Sequence, residues 1–257
     1  MNDLIIIIPA YNEQERIRAT LESYAGFFAK QSRYAWSILV VLNNCSDNTR
    51  DEVDLVAKKE PRVRFLEFEN PIGKGGAIIE GLHSAKNAKL IGFTDADGAT
   101  PPNSFYELVE ATEHYDIAVA SRWLPESRIL KAQSRKRRIF SRIFNVLVNI
   151  FFQLGMKDTQ CGAKVFRSEV IKHNLEDLVI ADMAFDVNLL FIIHKKGGKI
   201  IEIPTTWEDK AGSSVRLTRT SLSMGLSLIR LRWIYSPLRP LRKYFMPIET
   251  YIYRKLK

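Results

Sequence analysis

Leu90-Ile91-Gly92-Phe93-Thr94-Asp95-Ala96-Asp97-Gly98 is the stretch on which the fold turns. A short uncharged apolar run ends in two carboxylates one residue apart and then a glycine. That pattern predicts a buried strand that delivers acidic side chains to its carboxyl end. Outward from it, apolar runs near 3–9, 36–42, 62–68 and 115–120 alternate with amphipathic stretches near 13–30, 47–59, 74–86 and 101–113. This is the rhythm of βαβ units, and strands apolar along most of their length suit a mostly parallel sheet with helices on both faces. Ligands of open α/β sheets gather at the carboxyl ends of strands, so the turns after these runs are where chemistry is expected.

Asp95 and Asp97 suit a hard divalent cation. Two carboxylates, with waters and diphosphate oxygens completing the shell, hold Mg²⁺ or Mn²⁺ and neutralise a leaving group's charge. The same pair also fits an Asx turn capping the next helix. Pro9-Ala10-Tyr11-Asn12-Glu13 ends the first strand where polar side chains can meet a base or ribose, although an ordinary helix cap has the same composition. Gly73-Lys74-Gly75-Gly76-Ala77 opens a helix, and its free N–H groups together with Lys74 favour an anion. It lacks the spacing of an ATP-binding P-loop.

Near 125 the rhythm breaks. A basic segment, Arg135-Lys136-Arg137-Arg138, precedes an apolar helix expected over 139–154. A strand at 163–166, a helix near 183–195 and a strand at 199–203 follow. Past 210 the chain turns to Ser/Thr and then to Leu, Arg and aromatics. Three parts are therefore expected: 1–125, 126–210 and 211–257. The longest uncharged stretch, Ile143 to Met156, is shorter than the ~20 apolar residues of a spanning helix, so no transmembrane helix is expected. The N-terminus reads as a strand and not as a signal peptide. Cys45 and Cys161 form no disulfide or zinc pattern, which fits a reducing compartment.

The 257 residues carry a formal net charge of +9, which favours anionic partners: nucleic acid, acidic lipid or a phosphorylated substrate. The interleaved basic and apolar residues of Leu228–Tyr235 and Leu238–Phe245 suit a membrane surface. They equally suit a helix packed on the domain or a contact in a homo-oligomer. A basic nucleic-acid-binding protein would explain the charge. It would not explain Asp95-Ala96-Asp97 or the order of the other motifs.

Taken together, P-A-Y-N-E at 9–13, G-K-G-G-A at 73–77 and D-A-D at 95–97 resemble the family 2 glycosyltransferases. So do Asp158-Thr159-Gln160-Cys161-Gly162-Ala163-Lys164, Ala184-Phe185-Asp186-Val187 and Ile203-Pro204-Thr205-Thr206-Trp207-Glu208, which look like the dolichyl-phosphate glucosyltransferase branch, near the dolichyl-phosphate mannose synthases. The resemblance covers roughly 3–235. It implies the GT-A fold, a Rossmann-like sheet, and inverting transfer of a hexose onto dolichyl or polyprenyl phosphate by a peripheral protein at the cytoplasmic face of a membrane. UDP-glucose is the implied donor, with GDP-mannose or another acceptor as alternatives.

It further implies that Pro9, Tyr11 and Glu13 line the nucleoside pocket with Lys74 near it, that Asp95 and Asp97 hold diphosphate through the metal, and that Arg122 reaches phosphate. Asp158 and Gln160 would stand beside acceptor and sugar, Asp158 as a base or as an orienting group. The acceptor phosphate falls to Arg122, Arg135, Arg138 and Lys164, the last of which also reads as structural. The family's usual D-D-G-S after the second strand is replaced here by Asn43-Asn44-Cys45-Ser46. Asn44 can still bond a base through its amide, and the choice of base stays open.

Overall fold

The computed structural model describes residues 3–85, 87–172, 174–210 and 217–236. Strands β1 (Leu4–Ala10), β2 (Trp36–Asn43), β3 (Val63–Phe68), β4 (Leu90–Phe93) and β5 (Ile117–Ser121) alternate with helices α1 (Ile17–Phe28), α2 (Thr49–Lys59), α3 (Gly73–Ala85) and α4 (Pro102–Ala111). There follow β6 (Arg128–Lys131), α5 (Arg135–Phe152), β7 (Lys164–Arg167), α6 (Ser168–Lys172), α7 (Phe185–Lys195), β8 (Ile200–Pro204), β9 (Thr206–Glu208) and α8 (Leu217–Ile234).

Among the described residues the main sheet has seven strands in the order β3-β2-β1-β4-β7-β5-β8. All neighbours run parallel except β7, which lies antiparallel between β4 and β5. The period-2 alternation of the strands divides the core into two layers. Ile5, Ile7, Leu39, Val41, Ile91 and Phe93 pack under α3, α5 and α7, while Leu4, Ile6, Ile8, Ile38, Val40 and Leu42 pack under α1 and α4. Fully burying each such side chain contributes on the order of 1.5–3 kcal/mol.

The strands and helices of the first 125 residues fall close to their expected places, and the differences from the sequence reading come after them. Helix α5 begins at Arg135, not at 139, because the Ser134 hydroxyl accepts the Arg137 N–H at 3.4 Å as its cap. The basic cluster is therefore the first turn of the helix and not a segment before it. The small parallel pair β6–β9 was not anticipated, since Arg128–Lys131 is exposed along its whole length and lacks an alternating pattern. Of the C-terminal part, α8 sets Leu228 and Leu231 into the core, and Tyr235 lies edge-on to Phe191 at 5.0 Å between centroids. Residues 211–216 and 237–257, including Leu238–Phe245, lie outside the described residues. No helix among the described residues is long and apolar enough to cross a membrane.

Candidate active site

The carboxyl ends of β1, β2 and β4 and the opening of α3 meet in a cleft of about 500 Å³. Pro9, Tyr11, Glu13, Asn44, Lys74, Asp95, Asp97, Arg122 and Gln160 all line it. The antiparallel course of β7 brings Gln160 there. Lys164 pairs with Phe93 at the end of β4, so the residues just before Lys164 lie beyond the carboxyl end of that strand.

Asp95 and Asp97 are held from several directions. Lys74 Nζ lies 2.5 Å from Asp95 Oδ1, and the backbone of Gly162 packs against the same carboxylate so closely that a Cβ there would overlap it. Burial alone would raise the Asp95 carboxyl, but the Lys74 ammonium outweighs it and holds the group below the ordinary carboxylate range. Asp97 goes the other way, raised by burial and then by the negative charge of Asp95. Ala99 N–H donates to Asp97 Oδ1 at 3.0 Å, so the Asx turn does form. Among the described residues no hydrogen bond engages Oδ2. From beneath, Thr20 Oγ1 donates to the Ala96 carbonyl at 2.9 Å and Tyr24 Oη donates to the Thr100 carbonyl at 2.9 Å. The loop carrying both acids is thereby tied to α1.

On the nucleoside side, Glu13 pairs with Arg16 through a 2.7 Å bond from Nε, and burial nonetheless raises its carboxyl. Tyr11 is 47% exposed at the rim. Asn44 adopts φ +54°, a conformation that asparagine tolerates better than most residues, and its N–H donates to the Phe68 carbonyl at 2.7 Å.

Arg122 is clamped by Asp158. Its backbone N–H, Nε and Nη2 reach the carboxylate at 3.0, 2.7 and 2.9 Å, and Gln160 N–H adds a fourth contact at 3.2 Å. Burial opposes ionisation of Asp158, but the guanidinium outweighs it and lowers the carboxyl. Asp158 is 3% exposed and does not line the cleft. All four of these contacts converge on one carboxylate, which fixes the direction of the Arg122 guanidinium.

Of the four residues expected at the acceptor phosphate, the fold brings Arg122 and Arg138 to one cavity and leaves Lys164 and Arg135 outside it. Lys164 is fully buried, gives its ammonium to the Cys161 carbonyl at 2.7 Å and Asp186 at 2.6 Å, and does not line the cleft. Arg135 does not line the cleft, whereas Arg137 does, 3.6 Å from Asp209. Arg138 lines a neighbouring cavity of about 170 Å³ with Trp123, Ile129 and Ala132; Arg122, Gln133 and Trp207 form the wall shared with the main cleft. Sequence reasoning passed over Arg16, Gln133, Met183, Trp207, Asp209 and Lys210 as lining residues. Trp207 stood in the quoted Ile203–Glu208 motif, whose place at the end of a strand was the available signal.

The mostly parallel seven-stranded sheet, with paired carboxylates at the carboxyl end of its central strand β4, is the architecture of the GT-A glycosyltransferases. The model of the glycosyl transferase family 2 matches residues 5–175, and the chain belongs to that family. It is 31% identical over 237 residues to the glycosyltransferase AglD of Haloferax volcanii, covering 90% of this chain and 37% of that protein. It is also 29% and 30% identical to the dolichyl-phosphate beta-glucosyltransferases of Dictyostelium discoideum and Saccharomyces cerevisiae, covering 90% of this chain and 74% and 75% of theirs. The chain thus spans little more than a third of AglD and about three quarters of the other two. Among solved structures, glucosyl-3-phosphoglycerate synthase of Mycobacterium tuberculosis with Mn²⁺, UDP and glucosyl-3-phosphoglycerate superimposes with a TM-score of 0.67 at 14% identity, over 92% of this chain and 82% of that one. A further structure of that synthase holds Mg²⁺ and UDP. At this identity the likeness establishes the GT-A fold.

Proposed function

We propose that this chain transfers a hexose, glucose from UDP-glucose in the first instance, onto a dolichyl or polyprenyl phosphate. The observation that carries this reading is the continuity of two cavities. The cleft of Asp95, Asp97 and Lys74 adjoins, across Arg122, Gln133 and Trp207, a smaller one edged by Arg138 and Trp123. A donor diphosphate suits the first and an acceptor phosphate the second, with the anomeric carbon between them. The names of the dolichyl-phosphate relatives support the acceptor, and the UDP-bound neighbours support the donor.

Asp95 and Asp97 fit a hard divalent ion in their chemistry and placement, since a second carboxylate raised by the first is what a cation would relieve. Mg²⁺ or Mn²⁺ bound there would neutralise charge on the departing diphosphate. Lys74 sets the Asp95 carboxylate and adds positive charge at the opening of α3. Pro9, Tyr11 and Glu13 form the nucleoside wall, and Asn44 offers an amide to the base.

Arg122, fixed by Asp158, directs its charge at phosphate. Gln160 Nε2 is a buried donor with no hydrogen-bond partner among the described residues, placed to meet a sugar hydroxyl or a phosphate oxygen. An acceptor phosphate oxygen attacks the anomeric carbon opposite the donor diphosphate. As the new carbon–oxygen bond forms, the old one breaks and its electron pair leaves on the diphosphate. The acceptor is already anionic at pH 7, so positioning matters more than deprotonation.

The test is transfer of radiolabel from a panel of UDP- and GDP-sugars to a short polyprenyl phosphate with Mg²⁺ or Mn²⁺. Chloroform-soluble label from one donor, lost with EDTA and in Asp97→Asn, is the expected result and identifies the sugar. Metal-dependent nucleotide binding without transfer to this acceptor would overturn the acceptor assignment.

A further inference from the structure

Helix α5 turns an apolar stripe toward solvent. Ile139, Ile143, Val146 and Ile150 are 59%, 52%, 54% and 64% exposed, and they recur at i, i+4, i+7 and i+11. At 3.6 residues per turn that spacing confines them to an arc of about 60°. Phe144, Asn145, Val148 and Phe152, on the opposite side, bury the helix against the core. Leu130 on β6 is exposed as well, at 68%. Isolated exposed aliphatics are ordinary, but four in register over three turns of one helix form a face.

The charge beside this face has one sign. Arg135, Arg138 and Arg142 follow one edge of the stripe and Lys136 the other, and α5 contains no acidic residue. Cations in a first turn oppose the helix dipole, so their gathering there is locally unfavourable unless something anionic meets it. Trp123 lies beneath Arg138 and Arg142, with centroid distances of 5.7 and 4.9 Å, and keeps both guanidinium groups at the edge of the face. A greasy stripe bordered by arginines complements one environment in particular: an anionic bilayer surface, with acyl chains under the aliphatics and headgroup phosphates at the arginines.

We propose that α5 is the surface by which this protein docks on anionic lipid. The inference deepens the polyprenyl-phosphate reading, because the edge that carries Arg138 also borders the smaller cavity, and docking would bring that cavity to headgroup level. The described part of the C-terminal helix is a poorer candidate, since Leu228 and Leu231 are already spent on the core.

Co-sedimentation of the 257-residue chain with vesicles of phosphatidylcholine, with or without a third of phosphatidylglycerol, tests the docking without donor or acceptor. Wild type should bind the anionic vesicles and lose much of that binding in high salt. Ile139→Ser/Ile143→Ser/Ile150→Ser should weaken it at least tenfold, with an unchanged circular dichroism melt, whereas Ile229→Ser on α8 should bind as wild type. Vesicle binding undiminished in the triple variant would overturn the proposal. So would a lipid-free wild type that sediments as a dimer and becomes monomeric in the triple variant, since the stripe would then be a seam between copies. Transfer to a short water-soluble polyprenyl phosphate separates the two readings: if it fails in every protein while vesicle docking depends on the stripe, the acceptor assignment falls and the docking surface stands.

Discussion

Gly162 and Asp95 are in such close contact that the residue at 162 must be glycine for the carboxylate to stay where it is. The neighbouring segment also carries Gln160 into the cleft, so one short loop both shapes the metal-type acid and supplies a donor beside it. Gly162→Ala should fold, because the obstruction is a cleft side chain and not a core one. Displacing a reacting group by about 1 Å can cost about 10²-fold, and a loss of that order in kcat is expected, together with weakened Mn²⁺ binding by calorimetry. Wild-type kcat in Gly162→Ala would show that Asp95 relocates freely.

Asp97 has one oxygen in the Asx turn, so Asp97→Asn retains the Ala99 bond through its side-chain carbonyl and loses only charge. The expected outcome is an unchanged melting temperature, a loss of at least ~10²-fold in transfer and the disappearance of metal-dependent UDP binding. An equal loss of stability would assign Asp97 to the loop and not to the chemistry.

The Arg122–Asp158 clamp predicts an acid limb in stability. Asp158 is held below its ordinary value in the folded chain. Its contribution is therefore fully present above the unfolded value of about 3.9 and is lost as pH falls through the lower folded value. Asp158→Asn should flatten that limb in urea melts taken between pH 5 and pH 2. Asp158→Ala should lower stability at pH 7 by less than the ~3–5 kcal/mol of a fully buried pair, since it leaves a half-buried Arg122 at the cleft without its main partner. Arg122→Lys keeps the charge but loses the fork, and should reduce transfer more than it reduces stability.

Burial pushes the Cys161 thiol up to about 11, and the side chain is fully enclosed. Cys45 is only partly buried. A maleimide at pH 8 should therefore modify Cys45 alone in the native protein, with Cys161 reacting only after denaturation. Rapid native labelling of Cys161 would mean that the loop before β7 opens.

Much of this architecture was legible because the first 125 residues state it locally. Strands β1 and β2 are runs rich in Ile, Leu and Val closed by turns, and β4 and β5 are short apolar segments of the same kind. Asp95, Asp97, Lys74 and Glu13 sit at strand or helix ends, so locating the elements was enough to gather them. What escaped was whatever depends on distant partners. The direction of Lys164–Arg167 is not written in four residues, because the choice is made by β4 and β5 on either side. Lys164 stood as a phosphate ligand or a structural residue, and what decides its burial is the pair of partners it finds in the fold, the Cys161 carbonyl and Asp186, 22 residues on. Arg137 was indistinguishable in sequence from Arg135 and Arg138 until the Ser134 cap set the phase of α5.

The insertion of β7 also orders events during synthesis. Among the described residues β5 takes its ladder partners from β7 and β8, so a nascent chain of 125 residues holds neither of them. A chain that stops short of residue 167 lacks both the strand that joins β4 to β5 and the segment that carries Gln160 and Gly162 to the cleft. A truncation at the boundary between the two halves should therefore yield not a minimal nucleotide-binding module but a chain with open, aggregation-prone edges at β4 and β5.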